Sequence, residues 1–178
     1  PLFPSPYLCV TKETVMLNKA LLFTGLLILL VGCSQPVPAT MRMMDEAEAR
    51  WQAGPVPSYH IIVDVDRPDD RRRSNLTVRE GEIVEATVSY WDFKKKRWQE
   101  PYDLNQEQAF PFTVPGLFDM VRGELRGSGR ADVRVVTKGE PAFPHRIVLG
   151  PVWQDLRPVD GTEATVTVRE FEVLQAGK

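Results

Sequence analysis

The chain has 178 residues, of which 43% are hydrophobic and 26% are charged, and its formal net charge at neutral pH is −2. This is the composition of one ordinary globular domain, and it lacks the strong basic excess typical of nucleic-acid-binding proteins. Both cysteines, Cys9 and Cys33, lie in the first fifth of the chain. We therefore expect no disulfide and no cysteine-based zinc site in the domain that follows.

A largely apolar segment, residues 20–31, follows Lys19 near the start of the chain. It is too short to cross a bilayer as a helix, which needs about 20 residues. It matches the hydrophobic part of a secretory signal peptide, which is preceded by a positive charge. With Met16 as the natural start, residues 16–32 are predicted to be a signal peptide. Residues 1–15 are then interpreted as an upstream or non-native extension.

The segment ends in Leu30-Val31-Gly32-Cys33, which resembles the bacterial lipobox. The resemblance implies that Cys33 receives acyl chains, including palmitate, and that a dedicated peptidase cuts between Gly32 and Cys33. It also implies a bacterial cell-envelope lipoprotein bound to the membrane through those chains. Two or three chains anchor a protein stably, whereas one binds only marginally. Ser34, where Asp would favour inner-membrane retention, implies the periplasmic leaflet of the outer membrane if the host is Gram-negative.

The predicted mature chain begins with a tether and a helix. Residues 33–42 are predicted to be the lipidated cysteine and a flexible tether, because residues 34–40 carry two prolines and little to bury. Residues 43–176 are predicted to be a single globular domain. Within 41–54, Met44, Ala47 and Trp51 recur at helical spacing, which predicts a short helix.

Strand patterns follow this helix. Residues 59–66 alternate in hydrophobicity, 67–73 are predicted to be a turn, and Leu76 begins a second strand. After a tight turn at 80–82, residues 83–91 predict a third strand. Its predicted buried face comprises Val84, Ala86, Val88 and Tyr90. These strands predict an antiparallel meander.

The second half repeats this order of elements. Residues 92–110 are predicted to hold a hairpin, with Trp91 and Trp98 flanking a lysine-rich turn, and otherwise loop. A helix is predicted from Thr113, its N-cap, to a stop at 127–129. Strands are predicted at 132–137, 143–150 and 163–174, the last with a bulge near Arg169. The order helix, three strands, helix, three strands predicts an α+β fold, a mostly antiparallel sheet with two helices on one face.

Five segments carry a resemblance to a known family. They are the Trp51 helix, the Tyr59 strand, 78-VREGEIVEATV-88, 113-TVPGLFDMV-121 and 133-VRVVTKGEPAFPHRIVL-149. Together they resemble the bacterial lipoprotein family catalogued as domain of unknown function 6174, over about residues 45–174. The chain differs at Thr137-Lys138, at Ala142-Phe143-Pro144, and in lacking first-strand cysteines. The family has no assigned activity, so the resemblance implies a domain and no reaction.

The chain lacks the short motifs of known catalytic and nucleotide sites. Asp64 and Asp66 have the spacing to share a cation with His60, but an acidic turn in solvent, neutralised by Arg67 and residues 71–73, is the favoured interpretation. His145 is predicted to be a surface or edge residue. We predict no catalytic residue, no metal site and no cofactor.

The aromatic and basic residues at the predicted hairpin are the candidate interaction surface. These residues are Trp91, Phe93, Lys94, Lys95, Lys96 and Trp98. Lysines at a hairpin tip are often simply solvated, but beside a membrane they can also contact anionic groups. Aromatic residues that stay exposed mark recognition surfaces.

The functional prediction is a lipid-anchored, non-catalytic binding module of the cell envelope. Its partners would be the membrane, through Cys33, and an envelope protein or anionic polymer; no nucleic-acid partner is expected. Two alternatives remain open. One is an envelope hydrolase that uses His60 or His145 with carboxylates, and the other is a protease-inhibitor-like module that presents the loop 92–105.

Overall fold

The computed structural model describes residues 35–54 and 56–175. The helices are α1 (Met41–Ala53), α2 (Gln106–Ala109) and α3 (Val114–Gly127), with a 3₁₀ turn at Phe110–Phe112. The strands are β1 (Val37–Pro38), β2 (Tyr59–Asp66), β3 (Arg71–Arg79), β4 (Glu82–Asp92), β5 (Arg97–Trp98), β6 (Tyr102–Asp103), β7 (Val133–Lys138), β8 (Phe143–Leu149), β9 (Val152–Gln154), β10 (Arg157–Val159) and β11 (Ala164–Val173).

One antiparallel sheet organises the domain. Its strand order is β1-β7-β8-β11-β2-β3-β4-β5, and β6 pairs separately with β4. The last long strand, β11, lies between β8 and β2, so it joins the two halves of the chain into one sheet. The strands β9 and β10 form a separate hairpin.

The hydrophobic core lies on one face of this sheet. Alternate residues of β2 are buried there, namely Tyr59, Ile61, Val63 and Val65. The helices close the core with residues at helical spacing, namely Met44, Ala47, Trp51, Val114, Leu117, Phe118 and Val121. Because both long helices bury an apolar face against the same side, the predicted α+β fold is confirmed. In the described part of the chain no helix packs on the opposite side of the sheet, which we call the uncovered face.

The start of α3 is attached to the sheet by hydrogen bonds. The Thr113 hydroxyl accepts a bond from the backbone N–H of Gly116 at 3.1 Å, as the predicted N-cap requires. The Tyr59 hydroxyl accepts a second bond, from the N–H of Val114 at 3.2 Å. The chain passes so close at Gly116 that an added Cβ would overlap the Phe110 carbonyl oxygen. Only glycine fits this position.

The predicted turn at 67–73 is wrong in its length. The turn closes between Arg67 and Asp70, where the Arg67 N–H donates to the Asp70 carbonyl at 2.7 Å. Residues 71–73 belong to β3. Cross-strand pairing gives the reason, since Asp66 lies opposite Arg71 and Asp64 lies opposite residue 73. Opposite charges at these positions favour the strand over a longer turn.

The predicted buried face of β4 is also wrong at one position. Ala86 and Val88 are buried as expected, but Val84 is 57% exposed and Ile83 packs against the core instead. The register between β3 and β4 shifts next to Val78. A bulge at this point adds one residue, which reverses the side of the sheet to which the neighbouring side chains point. The bulge predicted near Arg169 is confirmed by a register shift in β11.

Three segments predicted as loop or tether have regular structure. Val37 and Pro38, within the predicted tether, pair with β7, so the folded domain begins before residue 43. The region after Trp98 contains β6 and α2, and α2 begins with a capping box formed by Asn105 and Gln108. The β9–β10 hairpin was not predicted, because its two strands are too short for a period to show.

Candidate functional site

The predicted lipidation site lies outside the described residues. This applies to Cys33 and to its cleavage flank, Leu30, Val31 and Gly32, as well as to the predicted signal peptide and the upstream extension. Within the part of the chain that is described, no helix has the length and apolar character needed to span a bilayer.

The predicted lysine-rich hairpin is present between β4 and β5. Trp91 pairs with Trp98 across the two strands. The turn is shaped by Asp92, whose carboxylate accepts the backbone N–H of Lys94 at 3.0 Å and that of Lys95 at 2.9 Å. The N–H of Lys95 and then that of Lys94 hold the pKa of Asp92 below its usual value. Phe93, at the tip, is half exposed.

Two tryptophan–arginine contacts join this hairpin to the neighbouring strand β3. The Trp91 and Trp98 rings meet edge to face, with centroids 5.4 Å apart. Arg73 Cζ lies 4.6 Å from the centroid of the Trp98 ring, and Arg71 Cζ lies 5.9 Å from that of Trp91. Both distances suit cation–π contact.

We call Trp91, Trp98, Arg71, Arg73 and residues 93–96 together the tryptophan–arginine surface. All six residues of the predicted interaction surface belong to it. The two arginines were not part of the predicted interaction surface, because their approach to the tryptophans depends on the register between β3 and β4.

Asp64 lies at the centre of the uncovered face and is bound by two arginines. Its side chain is only 3% exposed. Arg73 donates from Nε and Nη2 to the two carboxylate oxygens at 2.7 and 2.9 Å, and Arg169 Nε donates at 2.8 Å. Burial raises the pKa of Asp64, but these hydrogen bonds and the two positive charges outweigh burial and lower it. The predicted solvated acidic turn is therefore wrong for Asp64, which is a buried ion-pair centre.

The alternative that was not favoured, a cation shared by His60, Asp64 and Asp66, does not match the positions of these side chains. Asp64 is bound by Arg73 and Arg169, and Asp66 pairs with Arg71. His60 lies instead beside Glu170 and Glu172, and one ligand atom from each of these three residues lies within 4.8 Å of the others. These three side chains have the donor types that bind Zn²⁺.

The ring of His60 is oriented by a neighbouring amide, since its Nε2 lies 2.7 Å from the Asn75 side-chain oxygen. His145 lies elsewhere, half buried on β8, an inner strand between β7 and β11 rather than an edge strand. Burial lowers the pKa of His145, and the charge of Lys138 lowers it further. The structure therefore does not bring the two histidines together.

The fold and these contacts define an α+β domain whose sheet is covered by helices on one side and carries the tryptophan–arginine surface on the other. No protein-family model matches the chain, and no curated protein is significantly similar to it. The resemblance to the lipoprotein family catalogued as domain of unknown function 6174 stays a prediction.

Proposed function

We propose that the protein is a lipid-anchored lipoprotein of the bacterial cell envelope, and that its folded domain is a non-catalytic binding module for an anionic envelope polymer. The anchor would be the acyl chains on Cys33. Support for the anchor comes from the charged start, the short apolar run and the Leu30-Val31-Gly32-Cys33 motif. In a Gram-negative host, the location would be the periplasmic leaflet of the outer membrane.

The tryptophan–arginine surface is the observation that supports binding. Its turn and the residue after it present four exposed cations, Lys94, Lys95, Lys96 and Arg97, beside the two carboxylates of Asp92 and Glu100. Aromatic rings flank these cations. Flat rings beside several positive charges suit a polymer with apolar ring faces and anionic substituents, and tryptophan and arginine are enriched at recognition surfaces.

The two alternatives have less support. His60 faces carboxylates and an amide, with no serine hydroxyl bonded to it among the described residues. A protease-inhibitor-like module would need a projecting loop. Residues 92–105 instead pair back onto β4 at two places, through β5 and β6.

Binding is tested by replacing one tryptophan of the surface. Trp98→Ala should weaken binding of the purified full chain to lipopolysaccharide or to isolated sacculi roughly two- to thirtyfold, the effect of a cation–π and stacking contact of about 0.5–2 kcal/mol. Trp153→Ala is the matched control, because Trp153 is also exposed but lies on the β9–β10 hairpin. Equal loss in both variants, or loss in neither, contradicts the proposed surface.

The anchor is tested separately by Cys33→Ala. We expect the variant to lose the acyl mass increment and to keep the precursor mass, whereas Cys9→Ala should match wild type. Intact-mass measurement of the membrane fraction decides the question. If wild type and Cys33→Ala have the same unprocessed mass and both fractionate with membranes, the protein is not a lipoprotein.

A further inference from the structure

A cavity of about 380 Å³ lies between the helix-covered face of the sheet and the helical layer. It is on the side of the sheet opposite the tryptophan–arginine surface. Its walls are largely apolar, with contributions from Val65, Val88, Leu104, Phe112, Met120 and Val166. Cavities of this kind with a few polar groups are the usual form of small-molecule sites, although this one is near the lower end of their size range of about 300–1,000 Å³.

Arg72 is the unusual residue of this cavity. It pairs with Val65 on one side and Tyr90 on the other, so it belongs to the row of side chains that faces the helices. Its Cζ lies 5.6 Å from the centroid of the Phe112 ring. Its Nε is buried and has no hydrogen-bond partner in the described part of the chain.

An unsatisfied buried donor on a charged group is costly, and native structures rarely leave one without an acceptor from protein, water or ligand. The Phe112 ring offers the guanidinium a cation–π contact but no oxygen acceptor. It leaves the in-plane Nε–H without an acceptor. A ligand that supplies an anionic acceptor would satisfy it.

The charge around the cavity is positive. Arg67 lines it as well. Glu124 is the carboxylate among the lining residues, and its Oε2 accepts a hydrogen bond from Arg130 Nε at 2.7 Å. That pairing neutralises Glu124, so the two guanidinium groups of Arg67 and Arg72 determine which ligand charge is favoured.

We propose that this cavity binds one single-chain amphiphilic carboxylate, with its apolar tail against the walls and its carboxylate on Arg72. A guanidinium presents two parallel N–H donors, here including Nε, that match the two oxygens of a carboxylate. At roughly 30 Å³ for each non-hydrogen atom, the share of a water molecule in the liquid, the cavity holds about a dozen such atoms. That volume fits a short fatty acid and is too small to enclose a two-chain phospholipid.

The test is a calorimetric titration in which sodium octanoate is added to the full chain held in zwitterionic nanodiscs. The blank is the same titration into empty nanodiscs. We expect one octanoate per chain. Arg72→Met should weaken octanoate binding at least about tenfold, whereas Arg157→Met, which changes an exposed arginine of β10, should not change it. The uncharged 1-octanol should bind more weakly than octanoate and equally to all three proteins.

Three results would overturn the proposal: no octanoate binding to wild type above the blank, equal octanoate affinity in wild type and Arg72→Met, or octanol binding as tight as octanoate. Arg72→Lys covers the case in which Arg72→Met does not fold. It keeps the charge but lacks the paired donors, so octanoate should bind it measurably more weakly than wild type, and equal affinity would exclude the Nε contact. Octanoate should also raise the unfolding temperature of wild type and of Arg157→Met.

Discussion

Removal of both arginines that bind Asp64 should destabilise the fold and reverse its pH dependence. The carboxylate is 3% exposed, so without Arg73 and Arg169 it would be a buried charge with no partner. Loss of the partners of a buried ion costs about 3–5 kcal/mol. We therefore expect the Arg73→Met/Arg169→Met double variant to lose about 4 kcal/mol of unfolding free energy at neutral pH.

The single variants should lose less, in an order that follows the hydrogen bonds. Arg73 donates two of the three bonds to Asp64 and Arg169 donates one. Because both guanidinium groups are partly exposed, each bond is screened, and we expect about 2 kcal/mol for Arg73→Met and about 1 kcal/mol for Arg169→Met. The control is Arg71→Met, whose partner Asp66 is 32% exposed, and it should cost less than about 1 kcal/mol.

The dependence of the unfolding free energy on pH should have opposite signs in wild type and in the double variant. In wild type the pKa of Asp64 is lowered, so its stabilisation is present above the unfolded pKa of about 3.9 and is lost as the pH falls through the folded pKa. In the double variant, burial acts alone and raises the pKa, so stability should fall as the pH rises above about 4. Urea unfolding followed by circular dichroism between about pH 2 and 8 measures both effects, the wild-type loss below about pH 4 and the loss in the double variant above it. A double variant within about 1 kcal/mol of wild type, with the wild-type pH slope, would refute this account.

Three further predictions concern the fold. Tyr59→Phe leaves the buried N–H of Val114 without an acceptor and should cost about 1–3 kcal/mol in urea unfolding; an unchanged midpoint would contradict it. Gly116→Ala should destabilise the fold by more than about 2 kcal/mol, because the added Cβ would meet the backbone of the preceding turn. Gly123→Ala is the control: its added Cβ has no neighbour within 4 Å, so it should stabilise the fold by about 0.4–1 kcal/mol. Similar effects at both sites would be inconsistent with the packing of α3. Burial lowers the folded pKa of His145. The stability present above about pH 6.5 should therefore be lost as the pH falls through that folded pKa, and His145→Gln should reduce this loss. If the variant's unfolding free energy had the same dependence on pH as that of wild type, His145 would be excluded as the cause.

The tryptophan–arginine surface shows which contacts local sequence patterns predict and which they do not. The hairpin between Trp91 and Trp98 was predicted, because turn residues between two strand patterns determine a local pairing. The approach of Arg73 to Trp98 depends on the register between β3 and β4, which a bulge at residues 83–84 shifts. A single extra residue changes which side chains are neighbours, and the sequence carried no clear sign of it.

Asp64 and Arg72 show two further limits of prediction from local sequence patterns. Arg169 reaches Asp64 from a position 105 residues away, because β11 inserts beside β2. No local pattern predicts that neighbour. Arg72, in contrast, shares the phase of the buried residues Leu76 and Val78 on β3, so alternation alone placed it on the core face. That signal was overlooked because residues 67–73 were interpreted as a turn.

The amino-acid sequence by itself determined the class of fold and the apolar side of α1, α3 and β2. Periods of two and 3.6 residues are local properties, so they indicate which side of a strand or helix is buried. The leader and the Cys33 anchor are likewise predictions from local residues. Tertiary structure alone decided the strand order, the two arginines on Asp64 and the cavity beside Arg72. These depend on which distant segments pair, and that choice is made by the free energy of the whole sheet and core rather than by any one segment.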